Sequence, residues 1–219
     1  MRLTLSIGGV HAAARSMVDA AERLVAEQGL GALTVQAVQR EARQRNKSAV
    51  QYHFGGRDGL IAAVLSDRLA RTEARRTSML LALPEIPSTR QLVEVLVLPV
   101  VESVLEREPS YWARFVLQTL SDPAGGLAAL ESVDTRALDA TQARLRQRLS
   151  DLPRPIRTLR VQSTVGYATL VLAAYEASAL PHLGKEELTA EIVDAAHGLL
   201  GAPSNLRAPT RLHEPAPAV

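Results

Sequence analysis

The sequence predicts an all-α protein in two parts, a small N-terminal helical head joined by one long helix to a C-terminal helical bundle. Three observations carry that expectation. Apolar residues recur every three to four positions through most of the chain, and almost nothing alternates in the manner of a strand. Breaks at Gly29, Gly55-Gly56, Pro84 to Pro87, Pro123 to Gly126 and Pro153 to Pro155 cut the chain into helix-sized pieces. A length of 219 residues with 47% hydrophobic and 22% charged residues suits one or two domains with a real core.

Taken in order, residues 1–12 read as a flexible arm. Their apolar run is broken by Ser6, Gly8 and Gly9 and is unlike a signal peptide. A first helix follows from about Ala13 to Glu27, with Met17, Ala21, Leu24 and Val25 inward and Gly29 as its stop. Thr34 to Phe54 reads as two short helices around a polar turn. Thr34 is the N-cap of the first, with Val35, Val38 and Ala42 behind it. Arg43-Gln44-Arg45 forms the turn, and Asn46 caps a second helix over Lys47 to His53. In that helix Ala49, Val50 and Phe54 point inward, and Lys47, Ser48, Gln51, Tyr52 and His53 face something wet. Phe54 is the one large aromatic available to anchor this small core, so Phe54→Ala is expected to cost about 3–5 kcal/mol. Two helices a few residues apart, the second bearing cations, hydroxyls and amides outside, make the helix-turn-helix pattern, whose expected partner is a DNA major groove.

Gly55 and Gly56 end the head at residue 56. A fourth helix from about Arg57 to Ser78 carries Leu60, Ile61, Val64, Leu65 and Leu69 at helical spacing and becomes polar and charged from Arg68 to Arg76. Twenty residues of helix span about 30 Å, enough to act as a lever between head and body. After the proline-rich link to Ser88, a fifth helix runs from about Thr89 to Arg107 with Pro99 inside it. A sixth spans about Ser110 to Ser121, and Asp122 to Gly126 forms a loop. A seventh runs from about Leu127 to Leu152, with Leu138, Leu145, Leu149 and Leu152 on one side. The last two, about residues 156–179 and 185–200, are rich in small residues and apolar on more than one side, the pattern of a self-associating pair. The connecting helix and bundle thus occupy residues 57–201. The proline-bearing stretch 202–219 reads as a disordered tail.

Charge divides with the domains. Residues 1–76 hold 12 Lys and Arg against 7 Asp and Glu, and the remainder holds 13 against 16, so a net charge of +2 conceals a basic head and an acidic body. A basic head is what contact with phosphate requires. With no cysteine, neither disulfides nor thiolate metal sites arise. His11, His182, His197 and His213 show no metal spacing, and no glycine-rich nucleotide loop, nucleophile elbow or paired-carboxylate motif is visible. Neither a catalytic residue nor a cofactor is predicted, and the expected compartment is the cytoplasm.

The run from Ala13 to Arg68, above all Lys47-Ser48-Ala49-Val50-Gln51-Tyr52-His53-Phe54-Gly55-Gly56-Arg57-Asp58-Gly59-Leu60, resembles the N-terminal domain of TetR/AcrR-type transcriptional regulators. The Tyr-His-Phe triplet followed by glycine, a small residue, a basic residue, an acidic residue and leucine carries the likeness. Two features depart from it. Arg43 stands where the turn usually has glycine, so either Arg43 is left-handed or the turn is built differently. The stretch from Glu41 to Tyr52 is also one residue longer than the common pattern. The resemblance implies a homodimer formed by the last two helices, a palindromic double-stranded DNA operator, and repression relieved by a small-molecule effector bound in the C-terminal domain.

On this reading Lys47 and Ser48 meet phosphate or a base edge, Gln51 can bond bidentately to adenine, and Tyr52 and His53 grip phosphates as the family does. Thr34, Arg43, Arg45, Asn46 and Arg57 complete the DNA-contacting set. For the effector, Tyr111, Trp112, Phe115 and Gln118 lie at i, i+1, i+4 and i+7, with Tyr167 or Tyr175 approaching from the eighth helix as pocket walls. Aromatics at helical spacing are more often plain core. Two alternatives stand beside this one: a helical ligand-binding or scaffolding protein that does not read DNA, and a DNA-binding regulator that needs no ligand.

Overall fold

The computed structural model describes residues 7–46, 48–121, 134–180 and 183–206, with side chains from residue 12 onward. Within them the protein is all-α: α1 (Ile7–Gln28), a short 3-10 turn (Leu30–Ala32), α2 (Val35–Glu41), α3 (Ala49–Phe54), α4 (Arg57–Leu81), α5 (Thr89–Leu105), α6 (Trp112–Leu120), α7 (Arg136–Arg148), α8 (Arg154–Glu176) and α9 (Lys185–Gly201). The expected fold class is therefore observed.

The head is α1 to α3, closed by the start of α4. Met17, Ala21, Leu24 and Val25 of α1 are buried with Leu33, Val38, Val50, Leu60 and Val64, so the centre of the head is aliphatic. Phe54 is not its anchor. It is the last residue of α3, immediately before left-handed Gly55, and its half-buried ring sits at the rim, 6.0 Å from that of His53. Truncating it removes less than a fully enclosed phenylalanine would. α1 also starts earlier than expected, at Ile7, so half of the anticipated arm is helical. Two glycines in an opening turn cost only their propensity, about 1 kcal/mol each, and do not forbid a helix.

α4 is longer than expected and differs in its second half. Arg68, Thr72, Glu73 and Arg76, which periodicity leaves in solvent, are all buried. Arg68 Nε donates to Glu22 Oε2 of α1 at 3.0 Å, and its guanidinium lies 5.9 Å from the Trp112 ring of α6. Arg76 pairs with Glu73 and donates to the Leu96 carbonyl of α5 at 3.3 Å. Burial is the main influence on Arg76 and lowers its pKa, against the pull of Glu73.

Glu73 Oε2 also accepts the Ala137 amide at 2.9 Å, which gives α7 a cap from another helix. Asp134 takes the Arg136 amide at 3.1 Å, so α7 begins at Arg136. The expected helix over about 127–152 is therefore shorter, because side-chain acceptors satisfy its first amides and stop it extending backward. Its expected first residues, the loop at Asp122 to Gly126, and residues 207–219 of the expected tail lie outside the described residues.

The body encloses Trp112 and Phe115, whose rings stack 5.9 Å apart, with Leu92, Leu96, Leu145, Leu172, Leu188 and Ile192. Ser88 and Gln91 form a reciprocal capping box at the start of α5. α6 packs on α8 and α1, and α9 packs on α5 and α8. No helix among the described residues is long and apolar enough to cross a membrane.

Candidate nucleic-acid interface

The turn between α2 and α3 is built by local polar bonds. Thr34 Oγ1 accepts the Ala37 amide at 3.1 Å, the predicted N-cap. Arg43 has φ +51°, so it takes the left-handed conformation that a glycine would adopt with less strain, and the turn keeps its form. Asn46 Oδ1 accepts the Ser48 amide at 3.0 Å and its carbonyl accepts the Ala49 amide at 3.1 Å. Asn46 thus pins the entry to α3, which begins two residues later than the expected Lys47. Lys47 itself lies outside the described residues.

Ala49 and Val50 plug α3 into the head. That leaves Ser48, Gln51 and Tyr52 on the outer side, Tyr52 80% exposed, with the His53 ring 5.0 Å from that of Tyr52 in an edge arrangement. Arg43 and Arg45 are exposed at the turn. None of the side chains of Arg43, Arg45, Ser48 and Gln51 has a hydrogen-bond or ion-pair partner among the described residues. Between Glu41 and Asp58 the sequence has four cations and no carboxylate. Free donors on a short helix in a locally positive stretch are suited to phosphate and base edges.

Arg57 is placed otherwise. Its Nε donates to the Leu33 carbonyl at 3.2 Å and a terminal nitrogen donates to Leu30 at 3.1 Å, so its guanidinium fastens the start of α4 to the link between α1 and α2. These bonds make Arg57 a strut, while its side chain stays 40% exposed with its other terminal nitrogen 3.6 Å from Asp58. Sequence reasoning missed two residues of this region. Arg40 is exposed one turn after Gln36 on α2 and extends the cationic side of the turn along that helix. Gly59 is required by contact: a Cβ there would lie 1.8 Å from the Phe54 carbonyl oxygen, so α4 can cross the end of α3 only with no side chain at this position. The glycine was visible in the sequence, but the crossing that demands it was not.

The six proposed pocket residues do not converge. Trp112 and Phe115 are buried core, Gln118 is exposed, and Tyr111 lines a cleft beside α1. Tyr175 lines a different cleft at the end of α8. Tyr167 is half-buried with Glu191 of α9 near it; burial first, then that carboxylate, raises its pKa. Equal spacing put the aromatics of α6 on one helix, but packing assigned them to different surroundings.

At the α6 N-terminus Glu176, at the end of α8, supplies an acceptor no local motif announces. Its carboxylate takes Ser110 Oγ at 2.7 Å and the amides of Ala113 and Arg114 at 3.0 and 2.9 Å, with its side chain 1% exposed.

Residues 17–64 match the model of bacterial regulatory proteins of the tetR family. No curated protein matches the chain. Among solved structures, the chain is similar to the fatty acid degradation regulator FadR of Bacillus halodurans at 16% identity, with 87% of this chain and 99% of that one covered and a TM-score of 0.61. A TetR transcriptional regulator from Rhodococcus is 17% identical over 89% and 98% of the two chains, with a TM-score of 0.52. A TetR variant from Acinetobacter baumannii in complex with minocycline is 18% identical over 90% and 96%, at 0.50. At such identities the likeness concerns the fold, whereas the family model addresses the head directly. Residues 17–64 are accordingly a tetR-family helix-turn-helix domain, carried on a chain with the fold of the TetR-type transcriptional regulators.

Proposed function

We propose that the protein is a homodimeric, DNA-binding transcriptional repressor that is released from a palindromic operator by a small molecule. The observation that carries this is the outer side of α3 and its turn, where Arg43, Arg45, Ser48 and Gln51 stand without partners among the described residues on a head whose fold is fixed behind them. Two such helices enter successive major grooves about 34–36 Å apart. Gln51 reads a base edge, Tyr52 and His53 hold phosphates, and Arg40 joins the turn arginines on the backbone. Lys47 keeps the role its sequence position suggests.

Support for self-association lies on α8 and α9. Leu159, Ser163, Gly166 and Leu170 form one exposed, uncharged stripe along α8, and Gly198 and Leu199 are exposed on α9. A Cβ on Gly166 or Gly198 would meet nothing within this chain, so neither glycine answers an internal need, and each costs its helix about 1 kcal/mol relative to alanine. Close approach of a second copy supplies the need. The left-handed Arg43 preserves the turn, so the departure from glycine gives no support to a head that has ceased to read DNA.

The test is selection of random duplex DNA by the purified protein, then binding to the selected sequence across salt concentrations. A two-fold symmetric motif, a steep negative salt slope, and loss of sequence preference in Gln51→Ala are expected. No enrichment from a dimeric sample would overturn the reading.

A further inference from the structure

We propose that the cleft between α1 and the α5–α6 turn binds a small organic carboxylate, with Arg107 as its anchor. The cleft encloses about 650 Å³ and is lined by residues that include Arg15, Asp19, Arg68, Arg107, Pro109 and Tyr111. This lies within the size range of small-molecule sites.

Four arginines and three carboxylates line it, Asp67 beside it pairs with one of those arginines, and the loosest of the resulting pairs is that of Arg107. Arg68 is held by Glu22, Arg23 by Glu41, and Arg15 donates to Asp67 at 3.0 Å. Arg107 comes only within 3.9 Å of Asp19 and has no hydrogen-bond partner for its guanidinium among the described residues. Its side chain is 35% exposed, so its donors are within reach of a ligand that enters from solvent. Tyr111, half-buried beside it, likewise has no partner for its hydroxyl, and its ring is steadied by the Arg114 guanidinium 5.4 Å from the centroid.

A planar guanidinium with free donors matches a carboxylate bidentately. The apolar remainder of the ligand lies against Tyr111, Pro109 and Ala20. A monoanion suits this lining, in which arginines outnumber carboxylates by four to three, better than a phosphate dianion does.

The site has a regulatory consequence, which rests on the reading of the protein as a ligand-responsive regulator. Arg107 to Asp19 is the only ion pair among the described residues that joins α1–α3 to the helices after α4. A carboxylate on Arg107 replaces Asp19, which keeps Arg15 at 3.4 Å. The head then loses an electrostatic tie to the body, and DNA and ligand change each other's affinity by the same factor.

The experiment is calorimetric titration and thermal shift of the full chain with benzoate, its neutral isostere benzamide, and inorganic phosphate, at ionic strength matched with chloride and without DNA. Saturable benzoate binding is expected, with benzamide and phosphate at least about tenfold weaker. Arg107→Ala and Arg107→Gln, each checked for unchanged helicity, should weaken benzoate by about tenfold or more. The proposal is overturned if benzoate gives no saturable response, if benzamide or phosphate equals it, or if the Arg107 variants bind as the parent does. Because this reads the free protein, it can fail while operator binding stands, and operator binding can fail while it succeeds.

Discussion

Removing the Glu176 carboxylate tests whether α6 is held in place by a cap from α8. In Glu176→Ala, the amides of Ala113 and Arg114 and the hydroxyl of Ser110 lose their common acceptor in a place with almost no solvent access. Each buried donor left without a partner costs about 1–3 kcal/mol. The first amides of a helix are the easiest for water to reach once a side chain is cut back, so the sum settles near about 3 kcal/mol rather than the upper bound. Glu176→Gln keeps the shape and one oxygen but removes the negative charge at a helix N-terminus, a loss of about 1–2 kcal/mol. At about 2–4 °C per kcal/mol for a chain of this size, alanine should lower Tm by about 6–12 °C and glutamine by about half that or less. Urea denaturation followed by circular dichroism at one fixed protomer concentration measures this without confusion from association. If both variants fall within about 0.5 kcal/mol of the parent, as surface changes do, the cap contributes nothing and the reasoning fails.

Gly59→Ala forces a Cβ into the Phe54 carbonyl, so it should destabilise the head by about 3 kcal/mol, the upper end for overpacking, and weaken DNA binding in gel-shift titrations. Arg57→Met should cost about 1–2 kcal/mol in thermal unfolding yet leave the salt slope of DNA binding unchanged; a phosphate contact would instead flatten that slope by about 0.9. Arg43→Gly relieves a left-handed backbone and should stabilise the free protein by about 0.5 kcal/mol, read as a higher Tm, while weakening DNA binding at low salt by loss of a cation. Arg136 holds the Asp134 carboxyl below its usual 3.8, at about 2, so the capping contribution is intact above about pH 4 and is lost as pH falls to about 2; helicity followed through an acid titration should show the loss, and Asp134→Asn should remove it.

Much of the head was legible in the sequence because its signals are local. Thr34 caps the helix that starts one residue later, Asn46 bonds two residues on, and Gly55 follows the last residue of α3. Partners separated by more than a turn were not legible. Glu176 reaches Ser110, Ala113 and Arg114 across 62 to 66 residues, and Glu73 reaches Ala137 across 64. Nothing in the residues near either carboxylate says which helix end it will meet. The same limit hid the burial of Arg68 and Arg76, since periodicity counts a guanidinium as solvent-facing and cannot see the Glu22 carboxylate or the Leu96 carbonyl arriving from another helix. Phe54 and the α6 aromatics failed differently. Residue type and spacing gave their helices, but only packing decides which of several faces is enclosed.

The polar pairs along α4 fasten this long helix to α1 at one point and to α5 and α7 at another. A buried ion pair is often no more stabilising than a well-packed apolar pair, so Glu22–Arg68 and Glu73–Arg76 are poor devices if stability alone is the need. They are better at fixing position, because an apolar contact tolerates a slip of an ångström and a hydrogen-bonded fork does not. Arg68 locks α4 to α1 and lies beside Trp112; eight residues on, about 12 Å along the axis, Arg76 and Glu73 lock it to the Leu96 carbonyl and the start of α7. One lock belongs to the head and the other to the body. A rotation or slide of the head relative to the body has to open one of these locks or carry both with it, so intermediate positions lose hydrogen bonds that the observed position keeps. Separating Arg68 from Glu22 by Glu22→Gln should therefore alter operator affinity without touching any residue on the outer side of α3. An equal loss of stability with unchanged affinity would leave these pairs as packing alone.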